Sequence, residues 1–64
     1  MRILRLPDVQ AKTGLKHSAI YERIGNGSFP RPIPLHGNAK GFLESEIDDW
    51  IRQRIAERDG AAAV

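Results

Sequence analysis

The chain has 64 residues, no cysteine, and ten basic against eight acidic residues, a formal net charge of +2. That length holds one small domain and excludes a multidomain enzyme, while the lack of cysteine excludes disulfide staples, thiolate chemistry and the usual structural zinc sites. The charge is unevenly placed: residues 1–41 hold seven basic against two acidic residues and residues 42–64 three against six, which suggests a polyanion-facing front and a solvated back.

The N-terminus, Met1 to Asp8, carries charges every few residues and no apolar run near the ~18 to 20 residues of a membrane span, so neither a signal peptide nor a membrane segment is read there and a cytoplasmic protein is expected. Pro7 and Asp8 then mark a helix start. The missing proline N–H falls among the unpaired donors of a first turn, and the aspartate complements the helix dipole. This helix runs to Thr13 and stops at Gly14. Lys16 to Ile24 is the second helix, with Ile20 and Ile24 as its inward stripe and Gly25-Asn26-Gly27 as residues that tolerate a left-handed cap. Two short helices around Gly14 form a helix-turn-helix.

From Phe29 the pattern becomes Phe29-Pro30-Arg31-Pro32-Ile33-Pro34-Leu35. In an extended chain alternate N–H groups point to opposite edges, so the three missing donors fall along one edge, as suits an edge strand or an extended arm. His36-Gly37-Asn38 is a turn cluster and Ala39 to Phe42 a returning strand, making a β-hairpin or wing. Ile47, Trp50, Ile51 and Ile55 then recur on one face of a third, amphipathic helix. Ser45 with Asp48 resembles a capping box, with the helix starting there or up to two residues earlier. One domain over residues 1–59 is expected, followed by a frayed tail over 60–64.

Catalysis has little support. His17 and His36 stand 19 positions apart, with no Cys or helical His/Glu pair, and read as surface histidines rather than metal ligands. The carboxylates after Glu44 read as a solvated helix face. Gly25-Asn26-Gly27 lacks the preceding strand and following Lys-Ser/Thr of a phosphate loop, and the prolines have the wrong spacing for a PxxP ligand. No enzyme activity, cofactor or metal is expected.

The second helix carries the stronger signal. With Ile20 and Ile24 inward, its first turn presents Lys16, His17 and Ser18, and its flanks present Tyr21, Glu22 and Arg23. Cations suit phosphates or guanine edges, a serine and a helix N-terminus donate to phosphate oxygens, and a tyrosine hydrogen-bonds the DNA backbone. The competing reading is an interaction module, in which the third helix docks a protein through a partly exposed Trp50 and the basic front is incidental. An aromatic at helical spacing among isoleucines is more often core, against Ile20, Ile24, Ile47, Ile51 and Phe42.

Taken together, Leu4-Arg5-Leu6-Pro7-Asp8-Val9, Thr13-Gly14-Leu15, Ile20-Tyr21, Gly27-Ser28-Phe29-Pro30-Arg31-Pro32 and Gly41-Phe42-Leu43-Glu44-Ser45-Glu46-Ile47 with Trp50-Ile51 resemble the AlpA family of phage and prophage regulators. That family belongs with the MerR-like and excisionase-like winged-helix DNA-binding domains. The resemblance covers about residues 3–58. It implies a mainly α fold, a MerR-like winged helix-turn-helix of three helices plus a wing, with the second helix in a major groove and the hairpin at an adjacent minor groove or backbone. On the wing it points to Arg31, Asn38 and Lys40 for DNA contact.

Three departures from the family pattern stand out. Lys16 replaces the serine that usually caps the recognition helix, exchanging a cap of ~1 kcal/mol for a phosphate-reaching charge. Asn38 stands where the wing commonly carries Arg, so the wing's phosphate contact passes to Lys40. Gln10 replaces an apolar residue of the first helix.

The function implied is a sequence-specific DNA-binding transcriptional regulator of a phage, prophage or other integrated element. An excisionase-like recombination directionality factor would use the same surface. The expected partners are double-stranded DNA, with integrase or RNA polymerase as candidate protein partners, and the chain is expected to be a monomer that assembles on DNA.

Overall fold

A computed structural model describes residues 2–62. The elements in chain order are β1 (Ile3–Leu4), α1 (Leu6–Thr13), α2 (His17–Gly25), β2 (Ile33–Pro34), β3 (Lys40–Leu43) and α3 (Glu44–Ala62). The three strands form an antiparallel sheet in the order β1-β3-β2. This is the mainly helical, winged helix-turn-helix architecture expected, with one strand more than the hairpin supplies. β1 pairs Ile3 with Leu43 and Leu4 with Phe42, so the N-terminus is stitched to the far strand of the wing.

Local chemistry accounts for the helix ends. α1 starts with Pro7 in its first turn, and the Asp8 carboxylate accepts the Arg5 backbone N–H at 3.3 Å. It stops at Gly14, left-handed at φ 75°, whose N–H donates to Gln10 O at 2.8 Å. The Thr13 hydroxyl also donates back to Val9 O at 2.7 Å. Gly14 to Lys16 is then the whole turn into α2, the short connection typical of a helix-turn-helix. At the other end of α2 it is Gly27, φ 82°, that takes the left-handed position, while Asn26 stays at φ −96°.

α3 begins at the early end of the range that the capping-box reading allows. Glu44 is its first residue, and the Glu44 N–H donates to Arg2 O at 2.9 Å. The residue before β1 thus takes the first donor of the helix, and Ser45 lies inside the first turn. Glu44 and Glu46 complement the dipole there. The helix continues to Ala62, past the boundary expected at residue 59. Residues 63 and 64 of the expected tail lie outside the described residues.

The core takes one buried side chain from each part of the chain: Leu4 from β1, Val9 from α1, Ile20 from α2, Phe29 from the loop after α2, Phe42 from β3 and Ile47 from α3. Leu6, Leu15, Ile24, Trp50 and Ile51 close around it, half-buried. The expected contact of Ile20 and Ile24 with the α3 stripe and Phe42 is present in this cluster. Ile55 departs from expectation: it continues the apolar stripe of α3 but is 43% exposed.

An aromatic chain reinforces the core. Phe29 meets Phe42 edge to face at 6.2 Å and Trp50 at 4.9 Å between centroids. The Trp50 indole N–H donates to Ser28 O at 2.8 Å. One side chain therefore gives α3 both an apolar contact and a hydrogen bond to the corner between α2 and the wing.

Gly41, in the centre of the sheet, is required by close approach. A Cβ there would lie 2.3 Å from Ile3 Cγ2 and 3.3 Å from Leu35 Cδ1, so the side chains of the two outer strands meet across its bare backbone. β2, an edge strand, is blunted by its prolines, while the Leu35 N–H turns inward to Ala39 O at 2.9 Å.

Two expected outcomes test this packing. Trp50→Ala should remove about 3 kcal/mol, close to the whole stability of a domain this small, and abolish the thermal transition seen by circular dichroism. Gly41→Ala should cost about 1 to 3 kcal/mol by overpacking. Adding Ile3→Ala should restore part of that loss, and a strictly additive double variant in denaturant titration would exclude the contact.

Candidate nucleic-acid interface

α2 places four of the singled-out residues on one outward strip. Lys16 is its N-cap, extended at φ −76° and ψ 157°, and no side chain caps the helix. His17 and Ser18 occupy the exposed first turn. Tyr21, 44% exposed, lies one turn on, with the His17 ring edge-on at 5.7 Å. The inward side of the same helix holds Ile20, fully buried, so the strip cannot rotate without emptying the core.

Arg23 lies differently. It is half-buried, and its guanidinium sits 6.0 Å from the Trp50 ring centroid. Arg54 also approaches that ring, at 5.3 Å from its centroid. On the wing, Arg31 is exposed ahead of β2, Asn38 is exposed in the turn, and Lys40 opens β3 opposite Pro34. Among the described residues no hydrogen bond or ion pair joins the α2 strip to these wing positions. The two sets are presented by separate elements of one core.

The salt bridges sort the cations. Arg2 and Lys12 both reach Glu44, at 3.3 and 3.2 Å, and Lys12 also reaches Asp48 at 2.6 Å. On α3, Arg52 pairs with Asp49, Arg54 with Glu57 and Arg58 with Asp59. Among the described residues this leaves Arg5, Lys16, Arg23, Arg31 and Lys40 without a carboxylate partner. Every free cation thus belongs to the basic front. Arg5 was not singled out from the sequence, where Asp8 reads as a helix-start signal; that carboxylate accepts the Arg5 backbone N–H and leaves the guanidinium without a carboxylate partner among the described residues.

A profile of the family described as prophage CP4-57 regulatory protein (AlpA) matches residues 2–55. The chain belongs to the AlpA family. Among relatives, it is 38% identical over 60 residues to the DNA-binding transcriptional activator AlpA of Escherichia coli strain K12, covering 84% of this chain and 86% of that protein. It is 44% identical over 57 residues to the uncharacterized protein ORF88 of Enterobacteria phage P4, covering 89% of this chain and 65% of that protein's length. A 53-residue stretch is 40% identical to tRNA pseudouridine synthase D of Pseudoalteromonas atlantica, covering 75% of this chain and 15% of the synthase. That last similarity concerns a short segment of a much longer protein. Among the described residues of this AlpA-family chain, no helix is long and apolar enough to cross a membrane.

The Lys12 network has a pH signature. The hydrogen bond that Lys12 donates to Asp48 chiefly raises its pKa above the ordinary value of 10.5, against a smaller opposing effect of desolvation, and Glu44 adds to the rise. A raised folded-state pKa contributes stability below the unfolded value and loses it as pH climbs through the folded one. Lys12→Met should therefore be less stable than the parent by a constant margin through neutral pH. That margin should shrink in thermal melts taken above about pH 10.5, and a margin that grew with alkalinity would contradict the network.

Proposed function

We propose that the protein is a sequence-specific regulator that binds double-stranded DNA at sites belonging to an integrated element and controls transcription there. The observation that carries this reading is the division of charge: among the described residues five of the seven front cations have no carboxylate partner, while each α3 arginine lies beside a carboxylate on its own helix. Membership of the AlpA family and the activator among its relatives support it.

In this reading the α2 strip enters the major groove. The uncapped N-terminus of α2 directs backbone N–H groups and Lys16 to a phosphate, and His17, Ser18 and Tyr21 face base edges. Arg31, Asn38 and Lys40 hold the wing against the neighbouring backbone, and Arg23 anchors the flank of α2 where it leaves Trp50. Such a surface performs no covalent chemistry, so the regulator acts by occupancy, by bending DNA or by meeting integrase or RNA polymerase at its site.

One short helix and one wing bury only the ~600 to 1,000 Å² of a single module, too little for tight binding at physiological salt unless copies cooperate. The protein is accordingly a monomer in solution that occupies repeated half-sites.

Fluorescence anisotropy on DNA flanking the gene tests this. Three to four cation–phosphate contacts give a slope of about −3 to −4 in log K against log salt concentration for one protomer on one half-site. Ser18→Ala and Tyr21→Phe should change the ratio between operator and scrambled DNA, whereas Lys40→Ala should weaken both alike. Equal losses for all three variants would mean that α2 does not read bases, and a flat salt dependence would mean that phosphate is not the ligand.

A further inference from the structure

α3 carries a second exposed surface with chemistry of its own. A groove of about 340 Å³ runs between it and the end of α1. Trp50, Ile51 and the exposed Ile55 form its floor, Lys12, Arg54 and Arg58 its rim, and no carboxylate lines it. No residue of α2 or the wing takes part, so an occupant would leave the DNA-facing strip open.

The chemistry of this groove selects among occupants. An aromatic and aliphatic floor has little to offer a phosphate backbone, which binds cations and N–H donors. A second copy pairing α3 against α3 in antiparallel fashion would bring Arg54 and Arg58 of both chains together, and like charges across an interface disfavour the complex. A single exposed isoleucine is also far short of the ~800 Å² per partner of a stable interface. An acidic helix avoids the like-charge clash, and a transient contact does not need the area of a stable interface. Lys12 is held by Glu44 and Asp48, so it contributes its aliphatic stem. Among the described residues the only carboxylates that engage Arg54 and Arg58 are Glu57 and Asp59, whose side chains are 66% and 61% exposed, and surface pairs of this kind are weak enough to exchange for an incoming carboxylate.

We propose that the groove between α1 and α3 docks an acidic amphipathic helix of a partner protein, with apolar side chains on Trp50, Ile51 and Ile55 and carboxylates on Arg54 and Arg58. This is the helix-in-groove mode of recognition, in which anchors recur at i, i+3 or i+4, and i+7. The contact stands apart from DNA binding, and a regulator that uses it would hold its operator and a protein partner on different faces.

The test titrates isotopically labelled full-length protein with a probe helix bearing leucines at that spacing and glutamates on its flanks. Amide shifts should centre on Lys12, Ile51, Ile55 and Arg58, and be the same when operator DNA is present. Ile55→Asp should weaken the probe about tenfold or more, a difference of 1.4 kcal/mol, while its circular dichroism and DNA affinity match the parent. Arg58→Glu should shift preference toward a probe with lysines in place of glutamates. Shifts confined to Lys16, Tyr21 and Lys40 would overturn the proposal, since they would mean capture of negative charge by the basic front. Equal binding of the lysine probe to the parent, groove shifts caused by DNA alone, concentration-dependent self-association through α3, or the absence of any binding would each overturn it as well.

Discussion

Placement of α2 relative to the wing depends on the Trp50 indole, which donates to Ser28 O at 2.8 Å and lies edge-on against Phe29. The segment from Asn26 to Pro32 has no regular secondary structure, and a loop without ladder bonds must be held by something else. Asn26 and Gly27 turn the chain, Ser28 ties back to Arg23 O, and Phe29 plugs the core. Trp50 then joins that corner to the long helix. Because the corner connects α2 directly to the wing, the same contact sets the distance between the two elements offered to DNA, and a reader of DNA is only as selective as that distance is constant.

Much of this was legible in the sequence where a local rule operates. The proline and glycine bounding α1, the Ile20 and Ile24 stripe of α2 and the Ile47, Trp50, Ile51 spacing of α3 are short-range signals, and each element formed where its signal stood. β1 was not legible, since Ile3 and Leu4 are too few to show alternation and become a strand only because Phe42 and Leu43 pair with them. The start of α3 falls at the early end of the range that Ser45 and Asp48 allow, where Arg2 O accepts its first N–H. Ile55 continues the apolar stripe, but periodicity reports the direction a side chain points and not whether anything stands opposite.

At the candidate interface, residue type and helical face placed Lys16, His17, Ser18 and Tyr21 on one strip. Arg23 shows the limit of that reasoning: its helical position allows an outward guanidinium, yet the Trp50 ring draws it to the flank. The division between free and neutralised cations was only half visible. A count along the chain shows the basic front, but Glu44 taking both Arg2 and Lys12 follows from β1 lying beside β3, which no count contains. That arrangement removes two cations from the front and narrows its positive field to the elements that carry the readout.

The pairing of Ile3 with Leu43 also bears on how the domain comes into being. Ile3 finds its partner only when the chain has grown by forty more residues, and a loop of that length must close before the sheet offers any return. α1 and α2 emerge early, yet Val9 and Ile20 have nothing to bury against until Phe42 and Ile47 arrive. Helices of eight and nine residues are marginal alone in water. Synthesis therefore passes through a long interval with no foldable intermediate, and the helix-turn-helix, the third helix and the wing are acquired together in one cooperative step.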